Sequence, residues 1–228
     1  MMIKVENISK SYENIKALDN ISFEIDKKEN VFLIGPNGAG KSTTIKILAG
    51  LLKPDSGNIY IKNIDLLKNP EGAKKYIGYL PEEPIPFINL SVKENLEYIG
   101  LLRSIDNLYN KIDYYLNFFD LDKYKNYRAI NLSRGNKQKL SLSMVLILDT
   151  EILLLDEPLN YLDLETQYKT INLLKERNNL KIISTHIVSL AEKIANRIIL
   201  INKGKIIFND NIEKIKDNLE DNIIKLLR

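Results

Sequence analysis

The 228-residue sequence has no cysteine, a single histidine and no long apolar run. Without cysteine there are no disulfides, no thiolate metal sites and no cysteine nucleophile, and nothing points to an oxidising compartment. The opening residues, MMIKVENISK, place charges where a signal peptide needs an apolar stretch. A bilayer-spanning helix needs ~18 or more consecutive apolar residues, and none occurs. The richest stretch, Val145 to Pro158, is broken by Asp149, Thr150, Glu151, Asp156 and Glu157. The expectation is a cytoplasmic chain whose link to a membrane comes through a partner. A dense basic block is also missing. The net charge is only +3, and lysines are mixed with Glu and Asp along the whole chain, so nucleic acid is not indicated as a partner.

What is present describes an ordinary folded protein. Hydrophobic residues make up 44% and charged residues 28%, and the length suits one α/β domain or a domain with a lobe inserted. VENI, ISFEI (21–25) and VFLIG (31–35) read as short strands bounded by polar turns. After VFLIG the apolar period becomes helical through Ile45, Leu48 and Leu52. Pro54 to Gly57 form a turn, followed by the strands NIYI and KYIGYL (75–80). From about residue 88 to 142 the pattern is helical, opened by the capping box Ser91–Glu94. EILLLDEP (151–158) and KIIST (181–185) read as buried strands. A helix between them is expected to carry Leu164, Tyr168, Ile171 and Leu174 on one face. A helix running to about Asn196 leads to RIILI and KIIF around Gly204. From Asn211 onward Ile212, Ile215, Leu219, Ile223 and Leu226 form one helical stripe, with both signs of charge opposite it. That mixture disfavours a membrane-surface helix and favours packing on its own domain. The fold class is α/β, a mostly parallel sheet covered by helices with antiparallel strands on the N-terminal side.

Two elements carry chemistry. Gly35-Pro36-Asn37-Gly38-Ala39-Gly40-Lys41-Ser42, followed by Thr43, matches G-x-x-x-x-G-K-[ST] and lies between a strand and a helix, the context that motif requires. Glycines let successive N–H groups turn toward phosphate oxygens, and the helix N-terminus adds its positive end. Lys41 offers an ammonium to the β- and γ-phosphates, and Ser42 a hydroxyl to Mg2+. Ile152-Leu153-Leu154-Leu155-Asp156-Glu157 is an apolar strand ending in two carboxylates, with Asp156 115 residues after Lys41 (156 − 41). Asp156 suits the Mg2+ shell, and Glu157 is the candidate base for the attacking water. Together these define a P-loop nucleotide hydrolase and leave the nucleotide and the work done open.

Leu132-Ser133-Arg134-Gly135-Asn136-Lys137-Gln138 narrows the field. It resembles the L-S-G-G-Q signature of the ABC ATPase family, with Ser133 and Gly135 matching and Arg134 and Asn136 departing. The resemblance covers nearly the whole chain. It implies a P-loop core with an N-terminal antiparallel β subdomain and an inserted helical subdomain. The whole of 1–228 is then one nucleotide-binding domain, with 1–87 and 143–228 as core and 88–142 as the helical part. Tyr12 resembles the aromatic on which the family stacks adenine; an ordinary strand tyrosine is the alternative. GYLPEEP (78–84) resembles the loop that usually carries Gln at the position of Glu82, so Glu82 becomes a candidate Mg2+ ligand of unusual charge. Asp163, in LNYLD, resembles the residue that addresses the opposite subunit. His186, 30 residues after Asp156 (186 − 156), matches the switch histidine that senses the γ-phosphate.

What the resemblance implies is an ATP-hydrolysing subunit that works as a homodimer or heterodimer beneath separate transmembrane permease subunits. In it each ATP, with Mg2+, is held by Lys41, Ser42 and Tyr12 of one chain and capped by Ser133 and Gly135 of the other. GYLPEEP and the basic signature helix resemble exporter-type ATPases of multidrug, ion or antibiotic systems, so export is the expected direction. A soluble ABC ATPase acting on a macromolecular assembly is the alternative.

Overall fold

Residues 1–227 are described by a computed structural model of the chain. Apolar–polar alternation draws the first residues into strands. Ile3, Val5 and Ile8 are buried along β1 (Ile3–Tyr12), and Leu18, Ile21, Phe23 and Ile25 along β2 (Ile15–Ile25). The two pair antiparallel from Ile3↔Ile25 to Tyr12↔Ile15, a longer hairpin than the tetrapeptide VENI suggests. β3 (Asn30–Ile34) then leads through the glycine loop into α1 (Lys41–Leu48), which stops before Leu52. β4 (Ser56–Ile61) and the short β5 (Ile64–Asp65) complete an antiparallel sheet of order β2-β1-β4-β5. α2 (Pro70–Lys74), capped by Asn69 with Pro70 in its first turn, precedes β6 (Ile77–Leu80).

The remaining elements are α3 (Val92–Leu102), α4 (Leu108–Phe118), α5 (Arg134–Leu146), β7 (Ile152–Asp156), α6 (Leu164–Glu176), β8 (Leu180–Thr185), α7 (Val188–Ile194), β9 (Arg197–Asn202), β10 (Lys205–Asn211) and α8 (Leu219–Leu227). The chain divides into two compact units, one of residues 1–77, 151–157 and 177 onward, the other of 78–150 and 158–176.

In the first unit a second sheet runs β10-β9-β3-β8-β7, parallel except where β10 returns against β9. Every residue of β3, β7 and β8 is buried, which is why apolar residues run consecutively in them, as in Val31–Ile34 and Ile152–Leu155, rather than alternating. Ile34 pairs with Thr185 and Asp156 with Ser184, so these three strands end together. Such a row of parallel strand ends is where α/β folds place their ligands. At the C-terminus the expected single stripe is divided. A 3-10 turn holds Ile212–Lys214, Asn218 takes a left-handed φ of 59°, and only then does α8 begin. Leu219 and Ile223 are buried while Leu226 is exposed; α8 packs on α7 and β10, as an own-domain helix should.

In the second unit α3 begins with the predicted capping box: Ser91 Oγ accepts from the Glu94 N–H, and Glu94 Oε2 accepts from the Ser91 N–H. α3 packs on α4 and α5 around Leu96, Ile112, Leu116, Phe119 and Leu140. The face expected for α6 requires correction. Leu164 is 84% exposed and Tyr168 62% exposed, whereas Thr166, Thr170, Ile171 and Leu174 are buried. Thr170 tolerates burial because its hydroxyl donates to the Thr166 carbonyl, which hides the polar atom that apolar counting penalises.

Candidate functional site

The glycine loop follows from two backbone constraints in the first unit. Gly40 has φ 111°, and a Cβ there would lie 2.6 Å from the Ala17 carbonyl oxygen, so no side chain is accommodated. Gly35 approaches even closer, its missing Cβ only 2.1 Å from the Ile201 carbonyl oxygen. The loop is thereby pressed against β2 and β9 and turned into α1, whose N-cap, Gly40, offers no side-chain acceptor. The first-turn N–H groups remain directed at whatever anion occupies the loop. Lys41 is buried, and its Nζ donates to the carbonyls of Gly35 (2.7 Å) and Pro36 (3.2 Å). Pro36, Asn37 and Gly38 are exposed, Ala39 is buried, and Ser42 and Thr43 are half-buried in the first turn of α1.

At the end of β7 the two acids diverge. Asp156, 1% exposed, accepts from Ser42 Oγ at 3.2 Å and from the Ser184 hydroxyl through Oδ1. Its Oδ2 is buried and has no hydrogen-bond partner among the described residues. A buried carboxylate oxygen left without a donor is costly unless a cation completes it. With the Ser42 hydroxyl beside it, this hard-oxygen pair fits Mg2+. Glu157 has a left-handed φ of 47°, unusual for a non-glycine residue and held by its N–H donating to the carbonyl and hydroxyl oxygens of Ser184. This turn takes its side chain away from Asp156 to His186, whose Nδ1 is 3.0 Å from Glu157 Oε1. Nε2 is the ring's other polar atom. Glu157 is buried and the His186 side chain is 57% exposed. Tyr12, at the end of β1, is 46% exposed and has Lys10 Nζ 6.0 Å from its ring centroid.

Ser184 has no role in the sequence reading, although the structure makes it the partner of both acids. Only the β7–β8 register, which sets Ser184 beside Asp156, discloses it.

In the second unit Ser133 caps α5, its Oγ accepting from the Asn136 N–H at 3.3 Å, and Gly135 lies in the first turn. Gln138, buried, donates to the Pro158 carbonyl and ties α5 to the segment that follows the two acids. Asp163 caps α6: its carboxylate accepts from the Thr166 N–H (2.9 Å) and hydroxyl (2.8 Å), with Lys139 3.5 Å away. Those Thr166 bonds, with help from Lys139, hold the carboxyl at about 2. Glu82 is exposed.

A glycine loop opening a helix after one parallel strand, with a serine hydroxyl and a strand-end acid meeting beside it, defines a phosphate-loop nucleotide hydrolase. The profile described as ABC transporter matches residues 18–160. An uncharacterized ABC transporter ATP-binding protein of Bacillus subtilis is 32% identical over 99% of this chain and 76% of its own length. The molybdate/tungstate import ATP-binding protein WtpC of Methanocaldococcus jannaschii is 34% identical over 90% of this chain and 69% of its own. Among solved structures, a dimeric ATP-binding cassette in a post-hydrolysis state bound to ADP and Pi is similar with a TM-score of 0.85, at 27% identity, covering 92% of this chain and 99% of that one. The chain belongs to the ABC transporter ATP-binding family and is an ABC ATPase.

Proposed function

We propose that this chain powers outward transport through a separate transmembrane permease by binding and hydrolysing ATP between two nucleotide-binding domains. The observation that carries the reading is the divergence of two adjacent acids, Asp156 toward Ser42 and Glu157 toward His186. A single acid cannot both hold a metal shell and act as a free base. Here the two tasks fall to neighbouring residues that a left-handed turn separates.

Lys41 and the first-turn N–H groups of α1 hold the β- and γ-phosphates, and Tyr12 stacks on the adenine. Ser42 and Asp156 would hold Mg2+; bound there, the ion would neutralise charge on the transferring phosphoryl group. Glu157 orients and deprotonates the attacking water. Its Oε1 is fixed by His186, which leaves Oε2 for the water and Nε2 of the ring for the γ-phosphate. Ser133 and Gly135 cap the nucleotide of a second copy or of a paralogue, and Asp163 addresses the opposite subunit. ATP thus favours a closed dimer by its higher affinity for that state, and loss of the γ-phosphate releases it. The helical residues 88–142 pass this motion to the permease and place the chain at the inner face of the membrane. Among the described residues no helix is long and apolar enough to cross a membrane itself.

Glu157→Gln is expected to stop hydrolysis while retaining ATP, giving dimers by light scattering with Mg-ATP. Turnover at the wild-type rate in that variant would reject Glu157 as the base, and a strictly monomeric variant would reject the shared site. Export rests on the GYLPEEP loop, and a relative bears an import name, so direction has its own test. In inside-out membrane vesicles containing chain and permease, ATP should drive cargo into the lumen. ATP-driven loss of preloaded cargo would reverse the assignment.

A further inference from the structure

Three segments of the second unit converge on a side chain outside the nucleotide-binding set. Arg134, between Ser133 and Gly135, directs one guanidinium nitrogen at two oxygens: Nη2 donates to Glu83 Oε1 (2.5 Å) and to Tyr161 Oη (2.7 Å). Tyr161 Oη closes the triangle by donating to Glu83 Oε1 at 3.2 Å. The guanidinium carbon lies 3.8 Å from the centroid of the Tyr161 ring, within cation–π range. Glu83 is two residues beyond Pro81, and Tyr161 is two residues before Asp163.

The backbone beneath this triad is constrained on both sides. Tyr161 has a φ of 67°, a left-handed conformation that a bulky side chain adopts only where its surroundings impose it. The Tyr161 carbonyl oxygen would lie 2.8 Å from a Cβ on Gly135, so the start of α5 and the 159–163 turn meet backbone to backbone. The side chains of Arg134 and Glu83 are 56% and 63% exposed, where an ion pair adds little to folding stability. What the planar fork and the stacked ring do supply is orientation.

We propose that Glu83, Arg134 and Tyr161 are positioning residues, a side-chain clasp that fixes the Ser133–Gly135 segment to the turn carrying Asp163 and so sets the geometry in which both are presented for ATP turnover. This rests on the shared-site reading above. The clasp acts on the rate and leaves stability nearly unchanged, because its members are exposed and the backbone contact beneath survives without them.

The test is steady-state ATPase kinetics and thermal melting on the full chain with Arg134→Ala, Arg134→Lys, Glu83→Gln, Tyr161→Ala and the Arg134→Ala/Tyr161→Ala double variant. Each single change is expected to lower kcat by about tenfold with KM for ATP within about twofold, the signature of misplaced rather than missing groups. Arg134→Lys should not rescue, because an ammonium lacks the fork and the stacking plane. The double variant should be no slower than the worse single one, since both break the same clasp. Additive losses, wild-type kcat in Arg134→Ala, or losses that follow a fall in Tm would each overturn the proposal. If wild type hydrolyses ATP and Glu157→Gln still dimerises with Mg-ATP while Arg134→Ala matches wild type, only the clasp fails. If wild type shows no ATPase and Glu157→Gln stays monomeric, the shared-site reading itself fails.

Discussion

The phosphate loop with its two acids and the Ser133–Asp163 region are built by opposite means. Lys41, at the start of α1, and Asp156 and Glu157, at the end of β7, are buried, and their partners are backbone carbonyls, hydroxyls and the His186 ring of the same unit. Ser133, Arg134, Tyr161 and Asp163 are exposed and joined by side-chain contacts and helix caps. A buried site is fixed by the core and changes only when the core does. An exposed one is held by a few reversible bonds, the construction suited to a surface that must meet and leave a partner.

The largest effect that separates the two constructions is on chemistry. Lys41→Ala and Glu157→Gln should each lower ATP hydrolysis by on the order of a hundredfold or more, measured by phosphate release. Changes in the clasp should cost about tenfold. Equal losses at both regions would erase the contrast. Next comes packing in the second unit. Leu174→Ala should cost about 2–4 kcal/mol by denaturant unfolding, whereas Leu164→Ala should cost under about 0.5 kcal/mol. Similar costs would mean that α6 buries the face first expected of it.

A smaller effect concerns Asp163. Asp163→Ala should lose about 1 kcal/mol through the missing helix cap. Asp163→Asn keeps a cap acceptor but loses the charge, so near neutral pH it should fall between wild type and the Ala variant. With a folded value near 2 against 3.8 for the free group, the charge of Asp163 contributes stability fully above pH 4, and that contribution fades as pH falls toward 2. Acid unfolding of wild type should therefore converge on that of the Asn variant in this window. A further effect, visible only in alkaline solution, sits back in the buried sheet. Burial pushes Lys181 down to about 8, although its Nζ donates to the carbonyls of Arg177 and Asn179. Between pH 8 and 10.5 the unfolded chain keeps a proton that the folded chain has lost, so wild-type stability should rise relative to Lys181→Met across that range. The difference in Tm between the two should move steadily in favour of wild type as pH rises from 8 to 10.5, and parallel profiles would show that Lys181 stays charged in the fold.

The contrast also explains what was readable in advance. GPNGAGKST and ILLLDE are contiguous because a strand, a turn and a helix N-terminus are contiguous, so their chemistry lies in one stretch of chain. The Ser91–Glu94 box was legible for the same reason. Ser184 beside Asp156 was not, since it depends on which strand lies next to β7 and in which register. The face of α6 was misjudged because Thr166 and Thr170 bury hydroxyls that are satisfied within the helix, while Leu164 and Tyr168 face outward. Tyr161 gives no local sign of its left-handed backbone or of the guanidinium above it.

The sequence alone determined the phosphate loop, the acid pair and the alternation of strands with helices, because each is set by interactions between residues close along the chain. Only the tertiary structure decided that Asp156 and Glu157 part company, that Ser184 serves both, and that Glu83, Arg134 and Tyr161 meet. Those arrangements join residues from 27 to 114 positions apart, and such pairings are chosen by the packing of whole elements rather than by any local preference.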